Sequence, residues 1–247
     1  MARANLIIKV LFLCFMLSFY GSQEAAYSAE GEVGKMLNNL HWLGHASFRL
    51  DSSKTIYFDP WKLPPGPKKA DFIFITHEHF DHCSLDDIEL ISTKDTVIVA
   101  SEAAAKQLES ARPVCKEIKS LLPGDNIEIA GIKVSAASSY NLNKQFHTKA
   151  SRKLGFIVDI DGVKIYDAGD TDLIPEMKKY ICDIALLPVS GTYVMTANEA
   201  AEAALIIKPK VAIPMHYGDI IGTENDAIRF QDLLKGKVEV KILKKES

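Results

Sequence analysis

The segment Thr76–His82 reads T-H-E-H-F-D-H, and it places four strong metal-binding side chains within six residues (His77, His79, Asp81 and His82). It directly follows the apolar run Phe72–Ile75, which is typical of a buried strand. Imidazole and carboxylate groups are good ligands for zinc and its first-row neighbours. The segment therefore predicts an open, catalytic type of metal site at the point where a buried strand ends.

The spacing within this segment favours two metal positions. In an extended or tightly turning chain, His77 and His79 point to the same side, and the intervening Glu78 points away. Asp81 and His82 follow after a turn, so that all four side chains cannot easily share one tetrahedral ion. We expect one ion at the first pair and a second ion at the second pair. The competing interpretation is a polar loop whose histidines cap strand ends.

Three more polar side chains with metal-binding capacity lie downstream at the ends of apolar strands. Asp170 follows a sharp turn at Gly169, His216 ends the run Val211–Met215, and His147 lies in a polar loop. Together with the first motif they make seven candidate ligands. This number fits two ions that share one carboxylate.

Length and composition limit the class of protein. The 247 residues permit one large domain, and an apolar content of 47% is ample for its core. The net charge of −3 gives no support for nucleic-acid binding, which usually needs a basic face. We therefore expect a small-molecule substrate and no nucleic-acid partner; the sequence does not indicate an oligomeric state.

The N-terminal residues 1–29 have the order of an export signal. Arg3 and Lys9 edge the apolar run Val10–Tyr20, and small residues follow. The run is too short for a comfortable membrane span, so we expect no stable span once the signal is removed. A buried helix or an uncleaved anchor are the alternatives. The prediction is an exported protein, periplasmic or secreted, whose single domain covers residues 30–247.

The order of the predicted elements favours an α/β (α+β) fold with two sheets. Short strands dominate the first half of the chain, and Asp161-Gly162 is a strong hairpin signal. In the second half, strands alternate with helices, one of which begins with a capping box at Thr196–Glu199. A last strand is predicted over Val238–Leu243. Hairpins followed by alternating elements suggest two sheets with helices on the outer faces.

The chain resembles the metallo-β-lactamase-fold hydrolases, and among them the small single-domain YtkL/UlaG-like branch. The resemblance covers roughly Leu37–Leu234. The motifs that carry it are the H-x-H-x-D-H run and four further segments, namely Trp42–Ser47, Asp59–Trp61, Ala168–Thr171 and Pro214–Tyr217. The resemblance implies a four-layer αββα sandwich, with two mixed sheets inside and the metals at one edge.

The resemblance also implies a ligand set. One ion would be held by His77, His79 and His147. The second would be held by Asp81, His82 and His216, with Asp170 bridging the two. The ions would be divalent, with Zn²⁺ favoured and Mn²⁺ or Fe²⁺ as alternatives.

The chemistry implied by this site is hydrolysis by a metal-bridging hydroxide that attacks a carbonyl carbon or a phosphorus. Asp81, His82 and Asp170 are its predicted catalytic residues, and Asp81 can also accept a proton from the water. His45 is expected near the site, where it orients a ligand or contacts substrate. Tyr193 could donate a hydrogen bond to substrate.

Three alternatives stay open at the level of sequence. Lys144 and Arg152, which flank His147, could meet an anionic group or be plain surface residues. The bond that is cleaved could belong to an ester, a phosphodiester, a lactone or an amide. A redox di-iron protein or a non-catalytic metal-binding protein could use the same fold, although the di-iron type usually has a carboxylate where this chain has His79.

Overall fold

The computed structural model describes residues 31–247. By compactness the chain divides into two units, Met1–Asn38 and Asn39–Ser247. In the first unit, residues 31–38 are helical (α1). The predicted export signal, residues 1–29, lies outside the described residues. Within residues 31–247, no helix is both long enough and apolar enough to cross a membrane.

The first half of the second unit forms a six-stranded sheet whose strands are neighbours in chain order. Its strands are β1 (Leu40–Gly44), β2 (Ser47–Asp51), β3 (Thr55–Phe58), β4 (Phe72–Ile75), β5 (Val97–Ser101) and β6 (Glu117–Leu121). Helix α2 (Leu85–Ile91) follows β4, and helix α3 (Glu102–Ala111) follows β5. The pairs β1–β2 and β2–β3 are antiparallel, and the remaining pairs are parallel.

The second half forms a seven-stranded sheet in the order β13-β12-β11-β10-β9-β8-β7. Its strands are β7 (Asn126–Ile129), β8 (Ile132–Ser138), β9 (Leu154–Ile160), β10 (Val163–Asp167), β11 (Ile184–Pro188), β12 (Val211–Met215) and β13 (Glu239–Val240). Short 3₁₀ turns lie at Lys149–Ser151 and Pro175–Lys179, and the helices are α4 (Ala197–Ile207) and α5 (Glu224–Leu234). Pairing is antiparallel from β7 to β10 and parallel from β10 to β13.

Strand β4 shows why the two sheets pack face to face. Its side chains alternate between the two faces of the sheet. Phe74 lies against Phe156 of the second sheet, with ring centroids 5.3 Å apart. Ile73 and Ile75 belong instead to a buried cluster with side chains of α2 and α3. On the second sheet, α4 contacts β11 and α5 contacts β12. The predicted αββα arrangement is confirmed.

Two local signals are confirmed by the backbone. Asp161 and Gly162 have φ values of +51° and +78°, as a type I′ turn between β9 and β10 requires. Thr196 caps α4, and its side chain and that of Glu199 form the predicted capping box.

One predicted strand is too long, and one strand of the structure is absent from the predictions. The strand predicted over Val238–Leu243 is only Glu239–Val240, because beyond it the chain leaves the second sheet and Lys245 bridges to Trp42 of β1. Strand β6 was not predicted. It lies at the edge of its sheet, and its sequence Glu-Ile-Lys-Ser-Leu is mostly polar and half-exposed, so that the apolar signal of a buried strand is weak.

Candidate metal centre

The carboxyl ends of several strands of both sheets converge at one edge of the sandwich. His77 follows β4, Asp170 follows β10 and His216 follows β12 directly. His147 comes from the loop before β9. Its backbone carbonyl accepts a hydrogen bond from the backbone N–H of Asn141. The structure brings all seven sequence-predicted ligands together at this edge.

The first cluster consists of His77, His79 and His147, whose ring nitrogens face a common point. His79 Nδ1 lies 3.1 Å from His77 Nε2 and 3.2 Å from His147 Nε2. Three imidazole nitrogens at this separation cannot all satisfy one another by hydrogen bonds, because each neutral ring has only one N–H. Three such nitrogens are a suitable ligand set for one zinc-like ion.

The second cluster consists of Asp81, His82 and His216. Asp81 Oδ2 lies 3.8 Å from His82 Nε2. The Nε2 atoms of both histidines lie 3.2 Å from Oδ1 of Asp170. Together with Asp170, this cluster offers two nitrogens and two carboxylates, again a suitable donor set for a divalent first-row metal.

Asp170 faces both clusters with different oxygens. Its Oδ1 is the atom close to the second cluster. Its Oδ2 lies 3.5 Å from His147 Nε2 and 3.9 Å from His77 Nε2 in the first cluster. This is the placement that a bridging carboxylate needs.

The distal nitrogens of two histidines are held by Asp59 and Thr76. His82 Nδ1 lies 2.6 Å from Asp59 Oδ2, and His77 Nδ1 lies 2.9 Å from the Thr76 hydroxyl. Thr76 in turn donates to Asp59 through its hydroxyl, at 2.5 Å, and through its backbone N–H, at 2.8 Å. Such partners fix ring orientation and leave Nε2 free for a metal.

Two further distal nitrogens, those of His216 and His147, are held by residues from the second half of the chain. His216 Nδ1 lies 2.9 Å from the Ser190 hydroxyl, and His147 Nδ1 lies 3.2 Å from Asn141 Oδ1. Sequence reasoning assigned no role to Asp59, Thr76, Ser190 or Asn141 in this site. Two of them lie in motifs that the sequence analysis singles out, Thr76 in the segment Thr76–His82 and Asp59 in the family motif Asp59–Trp61.

His45 lies where the sequence predicted, beside the ligands. It is fully buried, and its Nε2 is 3.1 Å from Asp81 Oδ2. Its backbone carbonyl accepts a hydrogen bond from the His216 N–H at 2.8 Å. His45 thus contacts two members of the second cluster and helps to orient both.

Unpartnered buried atoms indicate that the site suits metal ions. His82 Nε2 and Asp170 Oδ1 are buried, and they lie close together without the alignment of a hydrogen bond. Buried polar atoms are normally paired, so an unpaired nitrogen and oxygen facing each other call for a shared partner. A cation between them would supply one.

Electrostatics keep the first cluster in its ligating form. Burial lowers the pKa of His77 well below its ordinary value, lowers that of His79, and lowers that of His147 to about 4. Histidine binds metals in its neutral form. Because these three rings are already neutral near pH 7, metal binding there does not have to displace a proton.

In the second cluster, charge dominates over burial. Burial by itself would raise the pKa of Asp170, but His216 and His82 outweigh it and hold that pKa well below its ordinary value. Burial would lower the pKa of His82, but Asp170 and Asp59 raise it well above the ordinary value. The carboxylate is therefore ionised, and a metal at His82 Nε2 would displace a proton.

A pocket of about 510 Å³ opens over both clusters and is lined in part by His79, Asp81 and Asp170. Tyr193 lines the same pocket, as its predicted role in substrate contact requires. Phe146 also lines the pocket and packs against Tyr193, with ring centroids 4.8 Å apart.

The two basic residues considered as anion contacts are engaged elsewhere. Lys144 donates hydrogen bonds to Asp172 and, at 2.8 Å, to the Val194 carbonyl. Arg152 forms an ion pair of 2.8 Å with Glu102.

Comparison with known proteins agrees with this geometry. Residues 39–216 match the model of the Beta-lactamase superfamily domain. The chain is 33% identical over 220 residues to a UPF0173 metal-dependent hydrolase of Thermococcus onnurineus, and the match covers 83% of this chain and 96% of that protein. It is 37% identical over 205 residues to a UPF0173 metal-dependent hydrolase of Thermoplasma acidophilum, with 78% and 88% covered.

A solved structure gives the same result. The crystal structure of a candidate metal-dependent hydrolase from Parabacteroides distasonis superposes with a TM-score of 0.73 at 35% identity, covering 83% of this chain and 93% of that one. The family match spans every predicted metal ligand, from His77 to His216. The chain therefore belongs to the metallo-β-lactamase superfamily and is a metal-dependent hydrolase of that family.

Proposed function

We propose that this hydrolase is dinuclear and that Asp170 bridges its two ions. The observation that carries the proposal is the placement of the two Asp170 oxygens, with Oδ1 at 3.2 Å from His82 and His216 and Oδ2 at 3.5 Å from His147. The first ion would be held by the first cluster and the second by the second cluster. Nitrogen-rich ligand sets favour Zn²⁺, with Mn²⁺ and Fe²⁺ as alternatives.

Two bound divalent ions would supply an activated water, in effect hydroxide near neutral pH, and would polarise the substrate's carbonyl or phosphoryl oxygen. The oxygen of that water would form the new bond to carbon or phosphorus, its proton would pass to a nearby base, the bond to the leaving group would break, and the leaving group would take up a proton.

Asp81 is the residue best placed to handle the proton of the attacking water. It lines the pocket, and its Oδ2 lies beside both His45 and His82. Burial would raise the pKa of Asp81, but the hydrogen bond from His45 and the charge of His82 lower it. The carboxylate is thus ionised at neutral pH and can accept a proton, while His45 holds it in position.

An activity screen tests the proposal. Protein freed of metal by chelation would be reloaded with Zn²⁺, Mn²⁺ or Fe²⁺ and assayed on esters, lactones, amides and phosphodiesters that carry a chromogenic leaving group. We expect hydrolysis in at least one metal form and none in the metal-free protein. Stoichiometric metal binding without hydrolysis of any class would favour the non-catalytic alternative, and oxygen-dependent turnover of the iron form would favour the di-iron alternative.

We also propose that the protein is exported, to the periplasm or the medium, and acts there on a small molecule. The support is the basic, apolar, small-residue order of residues 1–29. Every proposed ligand lies within Asn39–Ser247, so removal of the signal would leave the site complete. Mass spectrometry of the protein from its native host should show a start between Gly21 and Glu32; an intact Met1 on soluble cytoplasmic protein would refute export.

A further inference from the structure

We infer that the pocket above the two clusters accepts an uncharged substrate with an apolar or aromatic group close to the bond that is cleaved. This inference rests on the proposed hydrolase and narrows its substrate class. It disfavours substrates that carry a carboxylate or phosphate group at the same distance from the bond.

The first observation is an apolar rim directly beside the ligands. Phe80 is 67% exposed, Phe146 50% and Ile220 44%, and all three line the pocket. Phe80 lies between two ligands in sequence, and Phe146 directly precedes His147. Large apolar side chains grouped at a polar cleft mark a binding surface, because their exposure to water is otherwise unfavourable.

The two aromatic rings are held in place by their neighbours. Phe80 packs edge-to-face with Trp61, with centroids 6.1 Å apart and planes at 73°. Phe146 packs edge-to-face with Tyr193, at 4.8 Å and 87°. Because each ring already packs against a neighbouring aromatic side chain, binding of an apolar group does not have to order it. Less affinity is then lost to conformational entropy.

The second observation is that the described side chains lining the pocket carry negative charge and no lysine or arginine charge. Among the described residues, the pocket lining includes Glu78 and Asp81 but neither lysine nor arginine. The nearby Lys153 is buried and donates to Glu78 at 2.7 Å, and Lys144 is bonded to Asp172. A carboxylate or phosphate away from the metals would therefore lose its hydration without gaining a cation.

Binding of two matched ketones tests the inference independently of turnover. 4-Phenyl-2-butanone and levulinate (4-oxopentanoate) share the same ketone and linker, but one carries a phenyl ring where the other carries a carboxylate. Titration calorimetry with the full-length zinc-loaded protein should give at least tenfold tighter binding of the phenyl ketone. Equal affinity, or tighter binding of levulinate, would overturn the inference.

Variants locate the preference on the rim. Phe146→Ala and Phe80→Ala should each weaken binding of the phenyl ketone about two- to tenfold, the usual range for one aromatic contact, and change levulinate binding by less than twofold. Both residues are exposed, so the substitutions should leave folding intact. Ile181→Ala is the matched control, since Ile181 is 72% exposed and lies outside this pocket. If it weakened phenyl-ketone binding as much as the rim variants do, the assignment to the rim would be wrong.

Hydrolysis of matched 4-nitrophenyl esters separates this inference from the proposed function. The 3-phenylpropanoate ester should exceed the hemisuccinate ester, its carboxylate counterpart, at least tenfold in kcat/KM, and bis(4-nitrophenyl) phosphate should be poorer still. A preference for the hemisuccinate or the phosphodiester would overturn the substrate class. Selective binding of the phenyl ketone with no hydrolysis of any ester would overturn the proposed catalysis and leave the pocket preference standing.

Discussion

At the scale of single residues, four residues of the site have unusual backbone conformations. His45, Asp59, His147 and His216 have φ values of +51°, +42°, +34° and +60°. Such conformations cost a non-glycine residue on the order of 1 kcal/mol or more, and they persist when surrounding contacts determine them. In this structure each one directs a side chain toward the candidate metal centre or its hydrogen-bonded partners, so that at these four residues the strained backbone serves to orient the site.

Asp81→Asn should lower turnover far more than folding stability. The amide keeps the size of the carboxylate but loses the charge that binds metal and accepts the proton. Loss of a general base typically costs about a hundredfold to ten-thousandfold in rate. The measurement is kcat on any substrate found in the screen, with the metal content and melting temperature of each variant.

The control for that substitution is Asp86→Asn, which removes one exposed carboxylate from the nearby helix α2. Glu78→Gln is a poorer control, because Glu78 is the ion-pair partner of the buried Lys153. Equal losses of turnover in Asp81→Asn and Asp86→Asn would mean that Asp81 has no special role.

Asp59→Asn should weaken metal binding although Asp59 is not a proposed ligand. Its Oδ2 lies 2.6 Å from His82 Nδ1 and orients that ring. Loss of such a partner typically costs about tenfold to a hundredfold in metal affinity or activity. Competition with a chromogenic chelator measures the metal affinity directly. An unchanged affinity would contradict the role of Asp59 in orienting His82.

The sequence predicts the ligands better than it predicts their supports. Six of the seven proposed ligands were predictable because they are histidines or aspartates that follow closely on an apolar run, whereas His147 lies in a polar loop and was assigned by the family resemblance. Ser190 and Asn141 are common polar residues, and their hydrogen bonds to His216 and His147 span 26 and 6 residues of chain. Such partners are determined by the tertiary fold, which residue type and spacing do not reveal.

At the scale of elements, the turn after β10 positions Asp170, the residue that we propose as the bridge between the two ions. Gly169 has a φ of +59°, and a Cβ there would lie 2.7 Å from the Leu154 carbonyl oxygen and 3.1 Å from the Thr76 Cβ. Only glycine fits both the conformation and the space, since this turn of the second sheet lies directly against the end of β4.

Gly169→Ala should therefore destabilise the fold and reduce metal content. Left-handed alanine costs about 1–2 kcal/mol, and the backbone clash adds about 1–3 kcal/mol. Gly162→Ala is the matched control, because it has a φ of +78° but nothing within 4 Å. Denaturant unfolding of both variants should show the larger loss at Gly169; equal losses would show that the close approach does not matter.

Element prediction succeeded where periodicity was strong and failed at sheet edges. The sequence predicts strands over Thr55–Phe58 and Asn126–Ile129 and a helix over Leu85–Ile91, and β3, β7 and α2 have these bounds, because turn residues bracket them. At the edges, the polar β6 was missed, and the predicted last strand was too long. Edge strands have one pairing neighbour, so their length depends on where the chain goes next.

At the scale of the whole molecule, metal-free protein should lose stability as pH falls from about 6.5 to 4. Burial lowers the pKa of His147 from 6.5 to about 4, and it also lowers the pKa of His45, His77 and His79. At these four histidines the unfolded chain therefore binds more protons than the folded one in this window, and their contribution makes the free energy of unfolding rise with pH there. His82, Asp59 and Asp167 act in the opposite direction, because their raised pKa values favour the folded state at low pH, and these contributions are lost as pH rises through those values.

The test is urea unfolding of chelator-treated protein at several pH values between 4 and 7. The free energy of unfolding should fall toward pH 4, and His147→Gln should reduce the slope because it removes one of the titrating groups. Identical slopes for wild type and variant would show that His147 does not stay neutral in the folded protein.

The most direct test of the account is metal stoichiometry by inductively coupled plasma mass spectrometry, on wild type and Asp170→Ala purified under metal-replete conditions. If one carboxylate serves both clusters, wild-type protein should hold about two divalent ions per chain, and the variant should lose occupancy at both positions while remaining folded by circular dichroism. A wild-type stoichiometry of one ion, unchanged in Asp170→Ala, would contradict the bridged two-metal centre.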